Sequence, residues 1–262
     1  IGVASIPLLW DVQQAVEAVR WCVDNGLRAV MIPTLWGDNP AYHHTRYDPF
    51  WEVCEELGVI VHFHSGPAPH PEYFGKDWPV EDSSQQLPGA MGIYVSEVMW
   101  WLYRPLTFMI WGGVFERFPR LKAVIVEGGT MFMLPPWLRL LDHNYRDVQF
   151  SAKLGDFRSH LSMSPSDYYR RNVAIGASCV PRADLDLREA IGVEQIMWGS
   201  DYPHPEGTWP HTGEYFRETF AGFPEADGRK ILGDNAVAFY GLQRDALQEV
   251  ADRVGPDLSM FA

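Results

Sequence analysis

The chain has 262 residues and a formal net charge of −13 at pH 7, from 21 Lys and Arg against 34 Asp and Glu. This acidity argues against nucleic acid or an anionic membrane surface as a partner. Hydrophobic residues make up 47% and charged residues 21%, which excludes a disordered chain and allows one large core. Because no linker, repeat or break in composition interrupts the sequence, residues 1–262 are predicted to form a single domain.

Strand-like and helix-like segments alternate along the chain. In chain order the predicted elements are a strand at 2–6, a helix from Asp11 to Gly26, a strand at 29–32, a helix from Asp48-Pro49 to Gly58, a strand at 59–63, a helix at 93–118, a strand at 123–126, a helix after Pro135-Pro136, a strand at 172–177, a helix at 183–191, a strand at 195–198 and a helical remainder. Asp11 and Asp48 have the residue type and position of helix N-caps. A long loop rich in proline, glycine and acids fills 65–92.

The six predicted strands are continuous apolar runs and do not alternate between apolar and polar residues. Such strands are typical of a parallel sheet covered by helices. The pattern therefore predicts an α/β fold, either a (β/α)8 barrel or an open doubly wound sheet.

Polar residues stand where four of these strands end: His64, Glu127, Ser178 and Asp201. In a (β/α)8 barrel the carboxyl ends of the strands share one face, where the chemistry takes place, and in an open sheet they border its crevice. We therefore expect these residues to converge, although a single His or Asp at a strand end is more often a cap than a ligand.

His64 and Asp201 are the predicted metal pair. A buried carboxylate such as Asp201 needs a compensating positive charge, and imidazole with carboxylate suits zinc, manganese or iron(II). Glu127 is a candidate catalytic base for metal-bound water or a further ligand; alternatively, the backbone amides of Gly128 and Gly129 satisfy its carboxylate.

Three more residues are candidates for substrate binding. His62 lies on the same side of its strand as His64, although a satisfied core histidine fits as well. His204, with Glu206, follows Asp201 in a loop that should face the site. Trp209, with Pro67, Tyr73, Phe74 and Trp78, is suited to an apolar pocket wall, and ordinary loop packing is the alternative.

The three cysteines, Cys22, Cys54 and Cys179, lie far apart in apolar segments. They are expected to be buried free thiols in a reducing cytoplasm. No apolar stretch is long enough to span a bilayer. The chain begins with Ile1, so its native start is expected to lie upstream.

Four stretches resemble a known family: "VIVHFHSG", "GGVFERFPRLKAVIVEGG", "GSDYPHPEG" and "GDNAVAFYGL". They occur in the order of the amidohydrolase-related group within the amidohydrolase superfamily, in the branch that contains aminocarboxymuconate semialdehyde decarboxylase. The resemblance implies a distorted (β/α)8 barrel with one divalent metal, usually zinc and sometimes manganese. It also implies that His64 is the fifth-strand ligand and Asp201 the eighth-strand ligand.

The sequence departs from the family pattern in two ways. Glu127 stands where the decarboxylases carry a catalytic histidine. The six β-α units correspond to strands three to eight, so the first two strands and their acid/His-x-His ligands are expected to be missing from this chain. Without them we expect weak metal binding and little activity.

The favoured function is a metal-dependent hydrolase that attacks a small carboxylated or aromatic molecule with metal-activated water, because position 127 holds a carboxylate. The alternatives are a metal-dependent non-oxidative decarboxylase of an aromatic or enol acid and a non-catalytic ligand-binding barrel. A nucleotide-binding sheet is disfavoured because no strand is followed by a glycine-rich phosphate loop.

The resemblance and a run of large side chains make a homodimer plausible. The run comprises Met99, Trp100, Trp101 and Tyr103, and we favour the interpretation that it faces the barrel.

Overall fold

A computed structural model describes residues 1–64, 90–127, 131–147 and 152–262. Its centre is one sheet of six parallel strands in the order of the chain. The strands are β1 (Val3–Ser5), β2 (Ala29–Met31), β3 (Ile60–His64), β4 (Ala123–Val126), β5 (Val173–Ser178) and β6 (Ile196–Gly199). Six sequential parallel strands are consistent with part of a (β/α)8 barrel, as predicted.

Helices connect successive strands, as right-handed parallel crossovers require. They are α1 (Val12–Asp24), α2 (Asp48–Leu57), α3 (Ala90–Trp111), α4 (Val114–Arg117), α5 (Leu134–Arg146), α6 (Pro165–Asn172), α7 (Arg182–Leu185), α8 (Arg188–Ile191), α9 (Thr212–Phe220), α10 (Glu225–Arg229), α11 (Asn235–Tyr240) and α12 (Arg244–Val254). A π-helical turn at Lys230–Asp234 joins α10 to α11. Among the described helices, none is both long and apolar enough to cross a membrane.

The two faces of the sheet pack against different elements. Side chains such as Val61, Phe63 and Ile125 point to one face and join the large helix-covered core. The alternate residues form a second, smaller cluster of Ile60, Val124, Ala174 and Met197. Ala236, Phe239 and Tyr240 of α11 pack against this second cluster. His64 lies on the second face because strand side chains alternate with a period of two.

Local sequence signals explain most element boundaries. The Asp11 side chain accepts a hydrogen bond from the Gln14 amide at 2.8 Å, so the predicted N-cap of α1 is confirmed. Gly58 ends α2 in the left-handed conformation, with φ of 64°. The cap predicted at Asp48 was wrong: Asp48 lies inside the first turn, where its carboxylate forms an ion pair with Arg117 at 2.8 Å.

Two predicted helices are interrupted. The helix expected at 93–118 stops at Trp111, and Gly113, with φ of 66°, redirects the chain into the short α4. A left-handed residue cannot continue a right-handed helix, and glycine adopts that conformation without strain. The helix expected at 183–191 is divided into α7 and α8.

Side chains of α3 and of the cysteines only partly match the expectations. Tyr103 is buried, whereas Trp100 is 56% exposed, so the aromatic run does not face the core as a unit; the side chain of Met99 lies outside the described residues. Cys22 and Cys54 are buried free thiols, as predicted. Cys179 is also free but only half-buried, which corrects the prediction for that residue.

Candidate active site

The predicted site residues share one edge of the sheet. His64 and Ser178 are the last residues of β3 and β5, Glu127 directly follows β4, and Asp201 comes two residues after the end of β6. Because the strands are all parallel, their carboxyl ends lie at the same edge. The arrangement that would exclude a common site, with His64 and Asp201 at opposite ends of the strands, is therefore absent.

Three neighbouring strands end in a left-handed residue that is not glycine. Glu127 has φ of 58°, Cys179 of 47° and Asp201 of 59°, and no other described non-glycine residue has a positive φ. A left-handed conformation disfavours a residue with a Cβ by about 1–3 kcal/mol, and such residues cluster at functional sites. The conformation also ends the alternation of side chains along the strand. The side chain of each left-handed residue therefore points in a different direction from the one that alternation would give it.

His64 and Glu127 form the first pair at this edge. The His64 Nε2 lies 3.6 Å from the Glu127 Oε2, with 47% and 26% of the two side chains exposed. Strict alternation after Val126 would turn Glu127 away from the face that carries His64, and the left-handed backbone instead directs its carboxylate toward the imidazole. The pair is partly open to solvent and can therefore reach a bound molecule.

Asp201 and His204 form the second pair. The Asp201 Oδ2 lies 3.4 Å from the His204 Nδ1, so an imidazole is the side chain that Asp201 faces among the described residues. The same His204 nitrogen lies 3.4 Å from the backbone nitrogen of Glu206. The Asp201 side chain is 21% exposed and that of His204 is 52% exposed, which places the histidine on the solvent side of the pair.

Both ring nitrogens of His62 form hydrogen bonds. Its Nδ1 donates to the carbonyl of Ile60 at 3.1 Å, and its Nε2 accepts from the Tyr240 hydroxyl at 2.7 Å. The residue is 2% exposed, and burial lowers the pKa of its imidazole. These contacts favour the alternative interpretation of His62, a satisfied core histidine, over a substrate-binding role.

Trp209 lies at the exposed mouth of this edge. Its ring is 66% exposed and meets the 63% exposed ring of Tyr202 edge-on, with centroids 5.6 Å apart. Tyr202 was not predicted as a site residue. The other proposed wall residues, Pro67, Tyr73, Phe74 and Trp78, lie outside the described residues.

Cys179 is the edge residue that sequence reasoning missed. Its Sγ donates to the Glu206 carbonyl at 3.4 Å, which ties the end of β5 to the loop after β6. Burial raises the pKa of the Cys179 thiol, and the negative charge of Asp201 raises it further, so the thiol stays protonated and can donate. The available signal was its position, directly after a strand end just as Glu127 is.

The described residues offer only part of a metal site. His64, Glu127 and Asp201 have the donor chemistry that divalent ions prefer. Within the described ranges, however, no group of three or more His, Cys, Asp or Glu side chains is arranged to hold an ion. A catalytic ion usually takes three or four protein ligands, so these residues alone do not complete its coordination.

A family model described as amidohydrolase matches residues 1–242. This chain belongs to the amidohydrolase family. The match covers all six strands and both polar pairs at the edge.

Several amidohydrolases and decarboxylases are similar to this family member. The 2-amino-3-carboxymuconate-6-semialdehyde decarboxylase of Dictyostelium discoideum is 26% identical over 92% of this chain and 61% of its own length. The solved structure of an amidohydrolase from Mycobacterium avium subsp. paratuberculosis K-10 has a TM-score of 0.74 and 26% identity, over 94% of this chain and 58% of the other. For 5-carboxyvanillate decarboxylase from Sphingomonas paucimobilis the TM-score is 0.66 and the identity 26%, over 90% and 65%.

One more distant amidohydrolase-like structure contains a metal. A dihydroxybenzoic acid decarboxylase from Polaromonas sp. JS666, with 22% identity, a TM-score of 0.65 and coverage of 93% and 69%, has bound manganese and the inhibitor 2-nitroresorcinol. At this identity the likeness shows the fold alone. The amidohydrolase described here spans less than two thirds of the length of the first three relatives.

Proposed function

We propose that this chain carries the reactive edge of a metal-dependent, non-oxidative decarboxylase that acts on an aromatic or enol carboxylic acid. The observation that carries the proposal is the half-exposed His64–Glu127 pair, held at the carboxyl edge of the sheet by a left-handed strand end. Relatives named as decarboxylases support this function over the hydrolase that the sequence favoured.

The reaction requires one proton for each carboxylate lost. The bond between the substrate carbon and its carboxylate breaks, CO2 leaves, and the electron pair remains on that carbon. A proton then forms the new C–H bond, so that R–COO⁻ and H⁺ give RH and CO2. We assign the proton-carrying role to Glu127, because it is the acid of the first pair and is 26% exposed.

The metal part of the proposal rests on His64 and Asp201. A bound divalent ion supplies positive charge for the oxygens of the substrate. We propose that these two side chains hold the ion together with donors outside the described residues, since the described part of the chain provides no complete ligand group. Zinc is the metal that the sequence predicted, and manganese is the other candidate.

His204 and Trp209 are proposed to contact the substrate. His204 stands on the solvent side of Asp201, where it can bind an oxygen of the substrate. The exposed Tyr202–Trp209 pair provides an apolar surface for a planar ring, which suits an aromatic acid.

The test is CO2 release by the native purified protein, loaded in turn with zinc and manganese. The acid panel contains 5-carboxyvanillate, 2-amino-3-carboxymuconate 6-semialdehyde and dihydroxybenzoates. We expect turnover of at least one acid, with near-complete loss in His64→Gln and Asp201→Asn. His143→Gln is the matched control, because the exposed His143 also lies near a carboxylate, that of Asp147 at 3.7 Å at the C-terminal end of α5, and is not a proposed site residue.

Two outcomes would replace the proposal. Hydrolysis of esters or amides without decarboxylation would restore the hydrolase that a carboxylate at position 127 suggested. No bound metal and no turnover in a folded protein would favour a non-catalytic ligand-binding barrel.

A further inference from the structure

The loop after β6, residues 200–208, folds back tightly on itself. The His204 amide donates to the Asp201 carbonyl at 2.7 Å. The Gly207 amide donates to the His204 carbonyl at 3.0 Å, and the Thr208 amide donates to the Ser200 carbonyl at 3.0 Å. The loop that contains the Asp201–His204 pair is therefore held by its own backbone hydrogen bonds.

Gly207 packs directly on three of these carbonyl oxygens. A Cβ at position 207 would lie 2.7 Å from the Ser200 oxygen, 2.9 Å from the Asp201 oxygen and 3.0 Å from the His204 oxygen. All three atoms belong to the backbone, so no flexible side chain can move aside. Gly207 is not among the described glycines with a positive φ, so the constraint here is space and not backbone conformation.

Any shift that makes room for a Cβ would move the candidate site. Two of the three crowded carbonyls belong to Asp201 and His204, whose side chains lie 3.4 Å apart. Asp201 already has φ of 59°, so its backbone has little conformational freedom to absorb a displacement. The Cys179 thiol, directly after β5, donates a hydrogen bond to the carbonyl of Glu206, the residue before Gly207.

We infer that Gly207 is a positioning residue. Because it has no side chain, its Cα can pack against the carbonyls of Ser200, Asp201 and His204, and this packing sets the orientation of the Asp201 and His204 side chains. Cys179 supports the same geometry through Glu206. The catalytic consequence rests on the proposed function, whereas the effect on the pair does not.

The experiment compares Gly207→Ala with Gly213→Ala in the native protein. Gly213 is the second residue of the nearby α9, and outside the backbone of its own helix a Cβ there would meet no atom closer than 4.0 Å. Long-range proton–nitrogen NMR spectra of the histidine rings report on His204 directly. We expect the His204 ring signals to move in Gly207→Ala and to overlay the wild type in Gly213→Ala.

Activity gives a second measurement. Because misplacement by about 1 Å can lower a rate by about 100-fold, kcat for CO2 release should fall about 10- to 100-fold in Gly207→Ala, with a much smaller change in KM. Unmoved His204 signals in Gly207→Ala would overturn the inference. If the wild type decarboxylates no acid, the proposed function fails, while the NMR comparison still decides the role of Gly207.

A cysteine series guards against misfolding of Gly207→Ala. Cys179→Ala removes the donor to the Glu206 carbonyl without adding an atom, and should move the His204 signals in the wild-type fold. Cys179→Ser retains a donor and should restore them. If the His204 signals of Cys179→Ala overlay those of the wild type, the supporting role of Cys179 is contradicted. If Gly207→Ala also misfolds, the same result overturns the inference as a whole.

Discussion

Glu127 is the residue at which the chemistry of the site can be tested most directly. Its carboxylate lies 3.6 Å from His64, and its left-handed backbone holds it in place. Glu127→Gln keeps the size of the side chain but cannot carry a proton. We expect activity to fall about 10²- to 10⁴-fold, the usual contribution of general acid–base catalysis.

The matched control for this change is Glu214→Gln. Glu214 also forms a pair with a histidine, His211 at 3.1 Å, and neither residue is among the proposed catalytic, metal-binding or substrate-binding residues. CO2 release should stay at the wild-type rate in this variant. Equal activity in Glu127→Gln and wild type would remove Glu127 from the mechanism.

His62 gives the fold a defined pH dependence. Burial lowers its folded-state pKa below the ordinary 6.5, so the unfolded chain takes up the proton first as pH falls. The contribution of His62 to stability is therefore complete above pH 6.5 and is lost as pH decreases through the lower folded pKa.

The measurement is the free energy of unfolding in denaturant across this range. His62→Gln remains neutral at every pH, so its stability should fall less steeply below pH 6.5 than that of the wild type. Above that pH the two slopes should coincide, which serves as the internal control. Parallel slopes throughout would show that His62 is not held neutral by burial.

At the scale of elements, the end of α3 depends on a close approach. A Cβ at Gly112 would lie 2.4 Å from the Cβ of His43 and 2.7 Å from the Phe108 carbonyl. Gly112→Ala should therefore destabilise the protein by about 1–3 kcal/mol, as overpacking does. Denaturant unfolding measures the change.

At Gly92, in the first turn of α3, we expect the opposite effect of a methyl group on stability. A Cβ there meets no atom of the described residues within 4 Å, and alanine is favoured over glycine inside a helix by about 1 kcal/mol. Gly92→Ala should thus stabilise or leave the protein unchanged. Destabilisation in Gly92→Ala would contradict the expectation that a methyl group fits at position 92.

The strands could be predicted closely because a buried parallel strand is an apolar run that a polar residue ends. His64 and Glu127 mark such ends, and the parallel sheet places the ends of the strands at one edge; the convergence of all four strand-end residues stays a prediction. The spacing of apolar residues along the sequence does not show, however, which residues adopt a left-handed backbone conformation. The break at Gly113 and the role of Cys179 at the edge therefore became visible only in three dimensions.

At the scale of the whole molecule, the core of the described residues contains none of the candidate metal ligands. The large cluster and the smaller one under α11 consist of apolar side chains, and the candidate ligands stand at the edge. Chelation should abolish CO2 release and leave the far-ultraviolet circular dichroism spectrum unchanged, unlike in small domains that fold only with zinc. Zinc or manganese should then restore activity, and unfolding on chelation would contradict this view.

The hydrogen bond between His62 and Tyr240 joins residues 178 positions apart in the chain. Lys122 likewise donates to the Phe239 carbonyl, across 117 positions. During synthesis, α11 can cover the second face of β3 and β4 only after residues 235–240 have left the ribosome. A nascent chain paused before residue 236 therefore exposes Ile60 and Val124 to water, and exposed apolar surface of this kind favours aggregation.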